Sequence, residues 1–484
     1  MQNMRHELLN NGHGHAPQII RSKTDADERT LLAQQPVRFE QSWEENNLPE
    51  DQLNFKNLNM DDAALQTFMP RDKYNLVYIT FLIHGIGVLM PWNMFITAIS
   101  YFTRYKLSEA YIGNVEFAYA SIFLQYLTFA AQVPNVIFNW MNIFVQMGGN
   151  LTTRIVWSIS IEVVIFILTI ALAMSDSSSW PGVFFWITMV SVVILNMANG
   201  IYQNTIFGMA AKLPIKYTGA VVLGSNMSGT FTSVVRILSD TFASNVRMSA
   251  IYYFITALFV LLVCFDTYFA LPLNRFYRHH ELKEQKEAQL QISQNSGRKT
   301  RVPYFYIFKK CLPQLWNIFF VFFCTLSIFP SVHANIQMSD PDFFLTTTYF
   351  ESVVCFLTFN FWAMMGSFLA GFYQFPGPKY LWIPVALRVV FIPLFLMCNY
   401  QLDKVTRILP VLITNDWVYW LIATAMGLTS GYFSSLGMMY APKVVETKYQ
   451  GTAGMFAAAA LITGIFSGIC FAFIWPWFIA HVGY

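Results

Sequence analysis

Residues 90–102 read MPWNMFITAISYF. They sit inside an apolar run that begins near Tyr74, long enough for the roughly 20 residues that a membrane-crossing helix needs. Near the middle of that run stand Pro91, Trp92 and Asn93. Proline removes one backbone donor and crowds the carbonyl one turn earlier, so it can kink a helix. Within lipid such a feature is tolerated where the backbone lines a cavity or meets protein. Trp92 offers a flat stacking surface and Asn93 a paired donor and acceptor. The stretch therefore predicts a spanning helix whose inner face looks onto a polar interior.

The rest of the chain follows this lead. Of its 484 residues, 55% are hydrophobic and only 12% charged, against about a quarter charged in a soluble domain. Mean hydropathy is +0.43. Apolar runs are expected to span at 74–101, 113–139, 154–174, 183–212, 217–243, 249–271, 313–334, 348–374, 380–400, 414–440 and 450–480. The fold class is thus an all-α polytopic membrane protein with 11 transmembrane helices. A polar, basic link, NRFYRHHELKEQKEAQLQISQNSGRKTRVPYFYIFKK, divides it into six spans plus five. The expected segments are a disordered cytosolic tail (1–72), a six-span half (73–271), a cytosolic loop (272–312) and a five-span half (313–484).

Lys and Arg concentrate in alternate links, at Arg154, Lys212 and Lys216, the long loop, Lys379, and Lys443 and Lys448. By the positive-inside rule these links and the amino terminus are cytosolic. Arg104, Lys106, Arg247, Lys404 and Arg407 run against the bias. The first apolar run is expected to act as an uncleaved signal anchor. The sequons at Asn150 and Asn226 fall in a cytosolic link and inside a span, so neither should be used. The six cysteines form no CxxC pair and read as small packed hydrophobes. His6, His13 and His15 read as part of a solvated tail, and no cofactor or metal is expected. Asp27–Leu32 (DERTLL) matches an acidic dileucine pattern, which would bring sorting adaptors as partners and an endosomal or lysosomal address; without it the plasma membrane is expected.

Polar residues at helical spacing mark faces turned away from lipid. Gln125, Gln132, Asn135 and Asn139 form one stripe, and Asn196, Asn199 and Gln203 a second. Ser225, Ser228, Thr232 and Arg236 form a third, and Asn360, Ala363 and Ser367 a fourth. Each alone is compatible with helix–helix glue. Together they suit a cavity for a neutral, hydrogen-bonding solute with a flat apolar part. Glu162, Arg236, Asp266 and Arg388 are expected as buried charges within spans, serving as structural pairs, end-of-span snorkellers or a proton relay.

Eleven spans do not fit a seven-span receptor, and no TVGYG-like filter or acidic ring is present. HExxH and GxSxG are absent, and GSNMSGT (224–230) lacks the lysine of a phosphate loop, so neither an enzyme nor an ATP-driven pump is indicated. No nucleic-acid partner is indicated either; the partners are a small solute and the bilayer.

PWNMFITAISYF resembles the first-span signature of the equilibrative nucleoside transporters. CFLTFN (355–360), LRVVFIPLFLMCNY (387–400), GYFSSLGMMYAPKVV (431–445), GTAG (451–454) and LPLNRFYRHH are also similar to that family, in the family's order. The resemblance implies a 6+5 bundle of major-facilitator type and facilitated, bidirectional movement of nucleosides, with nucleobases as further cargo. A proton-coupled or organic-cation transporter of the same family is the alternative. Carried over by motif, Leu89 and Trp92 line the site from the first span and Gln203 faces the base. Phe329, Phe356 and Asn360 come from the second half; Gln132 joins them from the stripe analysis. The family usually has Asp and Arg three and seven residues after the Asn of FLTFN, where they face the sugar. Here those positions are Ala363 and Ser367.

Overall fold

The computed structural model describes residues 70–113, 119–145, 151–242, 245–283, 302–402 and 406–482. The amino-terminal tail with its histidines and the Asp27–Leu32 motif, Asn150, Lys404 and most of the long loop lie outside them. The regular structure among the described residues is helical, with an isolated bridge between Ile336 and Tyr400. In chain order the helices are α1 Leu76–Thr97, α2 Tyr119–Val145, α3 Leu151–Met174, α4 Pro181–Ala211, α5 Ile215–Phe242 and α6 Val246–Ala270. They continue as α7 Tyr304–Leu326, α8 Glu351–Phe372 with a π-helical first part, and α9 Trp382–Leu396. α10 Asp416–Tyr440, α11 Gln450–Ala472 and the short α12 Trp475–His481 complete the set.

Seven of these segments are long and apolar enough to cross a membrane; they contain α1, α3, α4, α6, α7, α8 and α11. α2, α5 and α10 have the length, but they carry the amides, hydroxyls and glycines that lower their hydropathy. α9 has the apolar character but is short. α7 starts at Tyr304, ahead of the apolar run expected from position 313.

Pro91 lies inside α1 without ending it; the helix stops only at Ala98. A π-helical turn, Phe102–Lys106, follows. The amino end of α1 is held by Asp72, whose carboxylate accepts from the backbone N–H of Val77 and Tyr78, both at 3.1 Å, and from the Tyr217 hydroxyl. That satisfies donors which a helix start leaves free.

Small residues let the helix axes approach. On α1 and α5, a Cβ at Gly224 would sit 2.0 Å from the Leu82 carbonyl oxygen, and one at Gly85 2.2 Å from that of Val221. Between lipid-bathed helices there is no hydrophobic drive to associate, so such backbone contact carries much of the packing.

Three of the basic residues that break the Lys/Arg bias are bound by helix carboxyl ends. Lys106 donates to Ser175 O just beyond α3, and Arg247 to Ala173 O and Met174 O. Arg407 donates to five carbonyls, among them Leu396 and Cys398 at the end of α9. A cation there satisfies carbonyls that have no helical partner and meets the negative end of the helix dipole. Close by, the Asp176 carboxylate accepts from Ser178 N–H and the Tyr111 hydroxyl, which hold its pKa down at about 2.

Candidate functional site

The α2 and α4 stripes face each other. Gln132, Asn135, Asn139, Asn196, Asn199 and Gln203 are all buried. Gln125 is exposed, so it does not belong to the inner face; at that end of α2 the buried positions are Phe123 and Leu127, and Phe123 packs against Phe185 of α4. Asn139 Nδ2 donates to Gln203 Oε1 at 3.5 Å, and Asn204 Nδ2 to Asn139 Oδ1 at 2.8 Å. Asn142 Nδ2 donates to Asn204 Oδ1 at 2.9 Å and to Thr205 Oγ1 at 3.2 Å, and Arg154 donates to Asn142 Oδ1. Asn204 Nδ2 also reaches the Met455 carbonyl on α11 at 2.9 Å. Asn142 and Asn204 were missed from the sequence. The signal was there for Asn142, which extends the 135, 139 spacing by one more turn. Asn204 sits one step off the 196, 199, 203 stripe and only its facing partner reveals it.

Three carbonyl oxygens on these two helices, Gln132 Oε1, Asn135 Oδ1 and Asn199 Oδ1, are buried without a partner. A buried acceptor left unmade costs about 1–3 kcal/mol, so such groups are stabilised by a guest donor or water.

α1 contributes Leu89 and Trp92, both half-buried. Asn93, between Trp92 and the rest of the helix, donates to Ser228 Oγ of α5 at 3.1 Å. On α5 the hydroxyls are largely spent at home. Ser225 bonds Val221 O and the Gly85 carbonyl of α1, while Thr232 bonds Ser228 O and Gly229 O.

The second cluster joins α5 to α8. Asn360 Nδ2 donates to Ser233 Oγ at 3.1 Å and to Phe356 O at 2.9 Å. Phe356 lies under the Arg236 guanidinium, 4.8 Å from carbon to ring centre. Phe329, just past α7, meets Phe356 edge-on at 5.7 Å and stacks on Phe359 at 4.1 Å. Arg236 also pairs with Glu351 at 3.4 Å. Ser367 accepts from Asn226 Nδ2 at 2.7 Å and donates to Gly431 O at 3.2 Å. Ala363 is buried where a Cβ on Gly431 would come within 1.8 Å of its carbonyl oxygen. Ser233, Asn226 and Phe359 were not expected as contacts; nothing in their own spacing names a partner on another segment of the chain.

The intramembrane charges resolve differently. Asp266 is exposed on α6, because Leu261, Cys264 and Tyr268 take the inner face; the expectation that it is a buried charge is corrected. Arg388 is fully buried in a cage of neutral acceptors: Thr325 Oγ1 at 2.8 Å, Met426 O at 3.3 Å and Thr429 Oγ1. Glu162 is fully buried on α3 with both carboxylate oxygens unpartnered, within electrostatic reach of Tyr202 and Cys264. Tyr202 in turn bonds His84 Nδ1 at 2.6 Å.

The first cluster offers neutral amides and the second aromatic rings with an amide, groups that can hydrogen-bond a polar edge and pack against a flat ring.

Residues 189–477 match the family model described as nucleoside transporter. Equilibrative nucleoside transporter 1 of Homo sapiens is 29% identical, over 84% of this chain and 98% of that protein. Its Rattus norvegicus counterpart is 31% identical over the same shares, and equilibrative nucleotide transporter 1 of Arabidopsis thaliana 26%, over 84% and 87%. Among solved structures, a double-tryptophan mutant of XylE superposes with a TM-score of 0.56 at 14% identity, covering 84% of this chain and 95% of that one. XylE, a proton:xylose symporter of the major facilitator superfamily, with bound 6-bromo-6-deoxy-D-glucose, gives 0.54 at 12%, over 85% and 92%. These two establish likeness of fold alone.

Proposed function

We propose a mechanism on the premise that this chain belongs to the nucleoside transporter family: it is a transporter, not an enzyme, and it moves nucleosides by facilitated diffusion. α1–α6 and α7–α11 are two halves of an eleven-span, six-plus-five bundle with a cytosolic amino terminus. They rock against each other along α5 and α8 and expose the site alternately to either side. The reading draws on major facilitators, whose halves are parallel repeats with the site between them.

The observation that carries the site assignment is the set of unpartnered acceptors Gln132 Oε1, Asn135 Oδ1 and Asn199 Oδ1 beside Gln203. They receive the donors of a nucleobase edge. Trp92, Leu89, Phe329 and Phe356 hold its flat face, and Asn360 takes the far edge. With Ala363 and Ser367 in place of a charged pair, the site depends weakly on sugar hydroxyls, so deoxynucleosides and free bases are also carried. The test is competition for uptake of labelled nucleoside into proteoliposomes by matched ribose, deoxyribose and free-base solutes. Near-equal competition is expected, and strong rejection of every solute lacking ribose refutes it. Gln203→Leu should discriminate among bases that differ only in their polar edge, whereas an equal loss for every solute means a folding defect.

A second reading has one observation in its favour. Glu162, buried on α3 with both carboxylate oxygens unpartnered, lies near the His84–Tyr202 pair, and such a carboxyl within a span would serve a proton-coupled cycle. An imposed pH gradient that drives uptake in the native protein and not in Glu162→Gln would support it. The plasma membrane is the proposed location. Redistribution to the cell surface on replacing Leu31 and Leu32 by alanine would instead assign an endosomal or lysosomal address read by sorting adaptors.

A further inference from the structure

Between α7 and α9 lies a groove of about 850 Å³, within the range of sites that hold small ligands. Leu312, Trp316 and Phe320 of α7 and Trp382 of α9 form its apolar walls, and Lys379 stands at its rim. Trp316 and Trp382 are 57% and 59% exposed, large values for rings within such a concavity. The floor is polar. Gln314 Nε2 donates to the Pro378 carbonyl at 2.7 Å, and Asn317 Nδ2 to Gln314 Oε1 at 3.3 Å. Asn317 Oδ1, on a side chain 2% exposed, has no partner.

The other half handles the equivalent place differently. There α6 packs against both α1 and α3. If the halves are parallel repeats, as proposed above, α7 and α9 correspond to α1 and α3. In the second half α10 meets both α7 and α9, as α4 meets α1 and α3, and among the described residues no further helix packs against that pair in the place of α6.

We propose that this groove binds an anionic phospholipid whose headgroup bears hydroxyls, with an acyl chain along Trp316, Phe320 and Trp382. Lys379 meets the phosphate, and a headgroup hydroxyl donates to Asn317 Oδ1. Basic pockets between spanning helices on the cytosolic side select such headgroups. Lys443, next to the lining residue Val444, and Lys309, one turn ahead of Leu312, add positive charge at the same end. That charge argues against a second copy of the chain as occupant, since a two-fold contact here would set like charges against each other.

The cytosolic placement of Lys379 rests on the proposed orientation, so the test is run without sidedness. The full chain is purified in mixed micelles containing phosphatidylinositol, phosphatidylglycerol or phosphatidylcholine, and retained lipid is read by native mass spectrometry. Wild type is expected to retain the two anionic lipids over phosphatidylcholine. Lys379→Gln should lower that preference about fivefold, the weight of one basic residue near a charged headgroup. Ala386→Trp, at an exposed position lining the groove, should expel the lipid while the melting curve shows a folded protein. Equal retention of all three lipids, or retention unchanged in both variants, overturns the proposal. So does a dimer that Ala386→Trp dissociates, which would assign the groove to a second copy. Nucleoside uptake measured on the same preparations separates the outcomes: transport with unselective lipid retention refutes the lipid site and leaves the transport reading standing.

Discussion

Two interfaces in this protein are built from the same residue types and behave as opposites. Between α2 and α4 the amides bond one another in a chain, Gln203 to Asn139 to Asn204 to Asn142, with every member buried. Between α5 and α8 the bonds are isolated, Asn226 to Ser367 and Asn360 to Ser233, and the row ends in an ion pair whose side chains are 19% and 45% exposed. A connected, dry network is costly to open, because each broken bond strands a partner in low dielectric. Single bonds backed by water at one end can be exchanged for solvent at little cost. The first interface is suited to stay closed, and Asn204 ties it to α11 as well. The second is suited to parting and re-forming, as the proposed rocking of the halves would require.

The comparison is broken most severely at Asn204. Asn204→Leu strands Asn139 Oδ1 and one donor of Asn142, and removes the tie to the Met455 carbonyl. At about 1–3 kcal/mol per orphaned group, a loss of at least ~2 kcal/mol is expected. The thermal melt of the purified protein checks it; an unchanged midpoint would mean that the network is not structural.

Glycine substitutions sharpen the contrast. A Cβ at Gly200 would sit 2.8 Å from the Asn135 backbone oxygen, while one at Gly229 would sit 2.1 Å from Asn360 Oδ1. Backbone cannot yield and a side chain can rotate. Gly200→Ala should therefore destabilise by about 1–3 kcal/mol, the usual cost of overpacking. Gly229→Ala should leave the melt nearly intact yet disturb transport, by displacing Asn360 from Ser233. Equal effects on both readouts would erase the distinction between the interfaces.

Smaller effects are expected at the remaining contacts of α5 and α8. Removing the Asn226–Ser367 bond by Ser367→Ala is worth about 0.5–1.5 kcal/mol, a two- to tenfold change in the ratio of conformers, read as altered accessibility to a thiol probe on either side. Arg236→Gln with Glu351→Gln should cost about 0–1 kcal/mol and only at low salt, because the pair is solvated.

Acid should act on the link from α3 to α4 only well below neutrality. Asp176 has its pKa lowered from 3.8 to about 2 by the Ser178 N–H and the Tyr111 hydroxyl. Its folded form is thus favoured above 3.8, and that contribution is lost as the pH falls through about 2. Uptake rates in the native protein and in Asp176→Asn should then keep the same pH profile between mild acid and neutrality. A profile that Asp176→Asn shifts would place the link from α3 to α4 in the transport cycle.

Much of the helical framework was legible beforehand, and the misses are instructive. α7 begins within what reads as a polar link because Tyr304–Lys310 pairs aromatic and basic residues that can sit at a membrane edge. Lys106, Arg247 and Arg407 looked like exceptions to a charge rule, yet each binds carbonyls at a helix end, a role set by where that end falls in space. The Ser and Thr stripe on α5 mixed inward-facing hydroxyls with ones that bond their own helix, since both satisfy the same 3.6-residue period.

From its sequence alone the chain had to be a bundle of lipid-bound helices with amide-bearing inner faces, because apolar content and periodicity depend only on neighbours a turn or two away. The family motifs, read in order, pointed to nucleoside transport for the same local reason. Only the tertiary structure decided that Asn139 meets Asn204, that Asn226 meets Ser367 and that Asn317 keeps an unpaired acceptor on the wall of a groove. A polar side chain announces that it needs a partner, but the partner is chosen by how helices far apart in sequence come to cross.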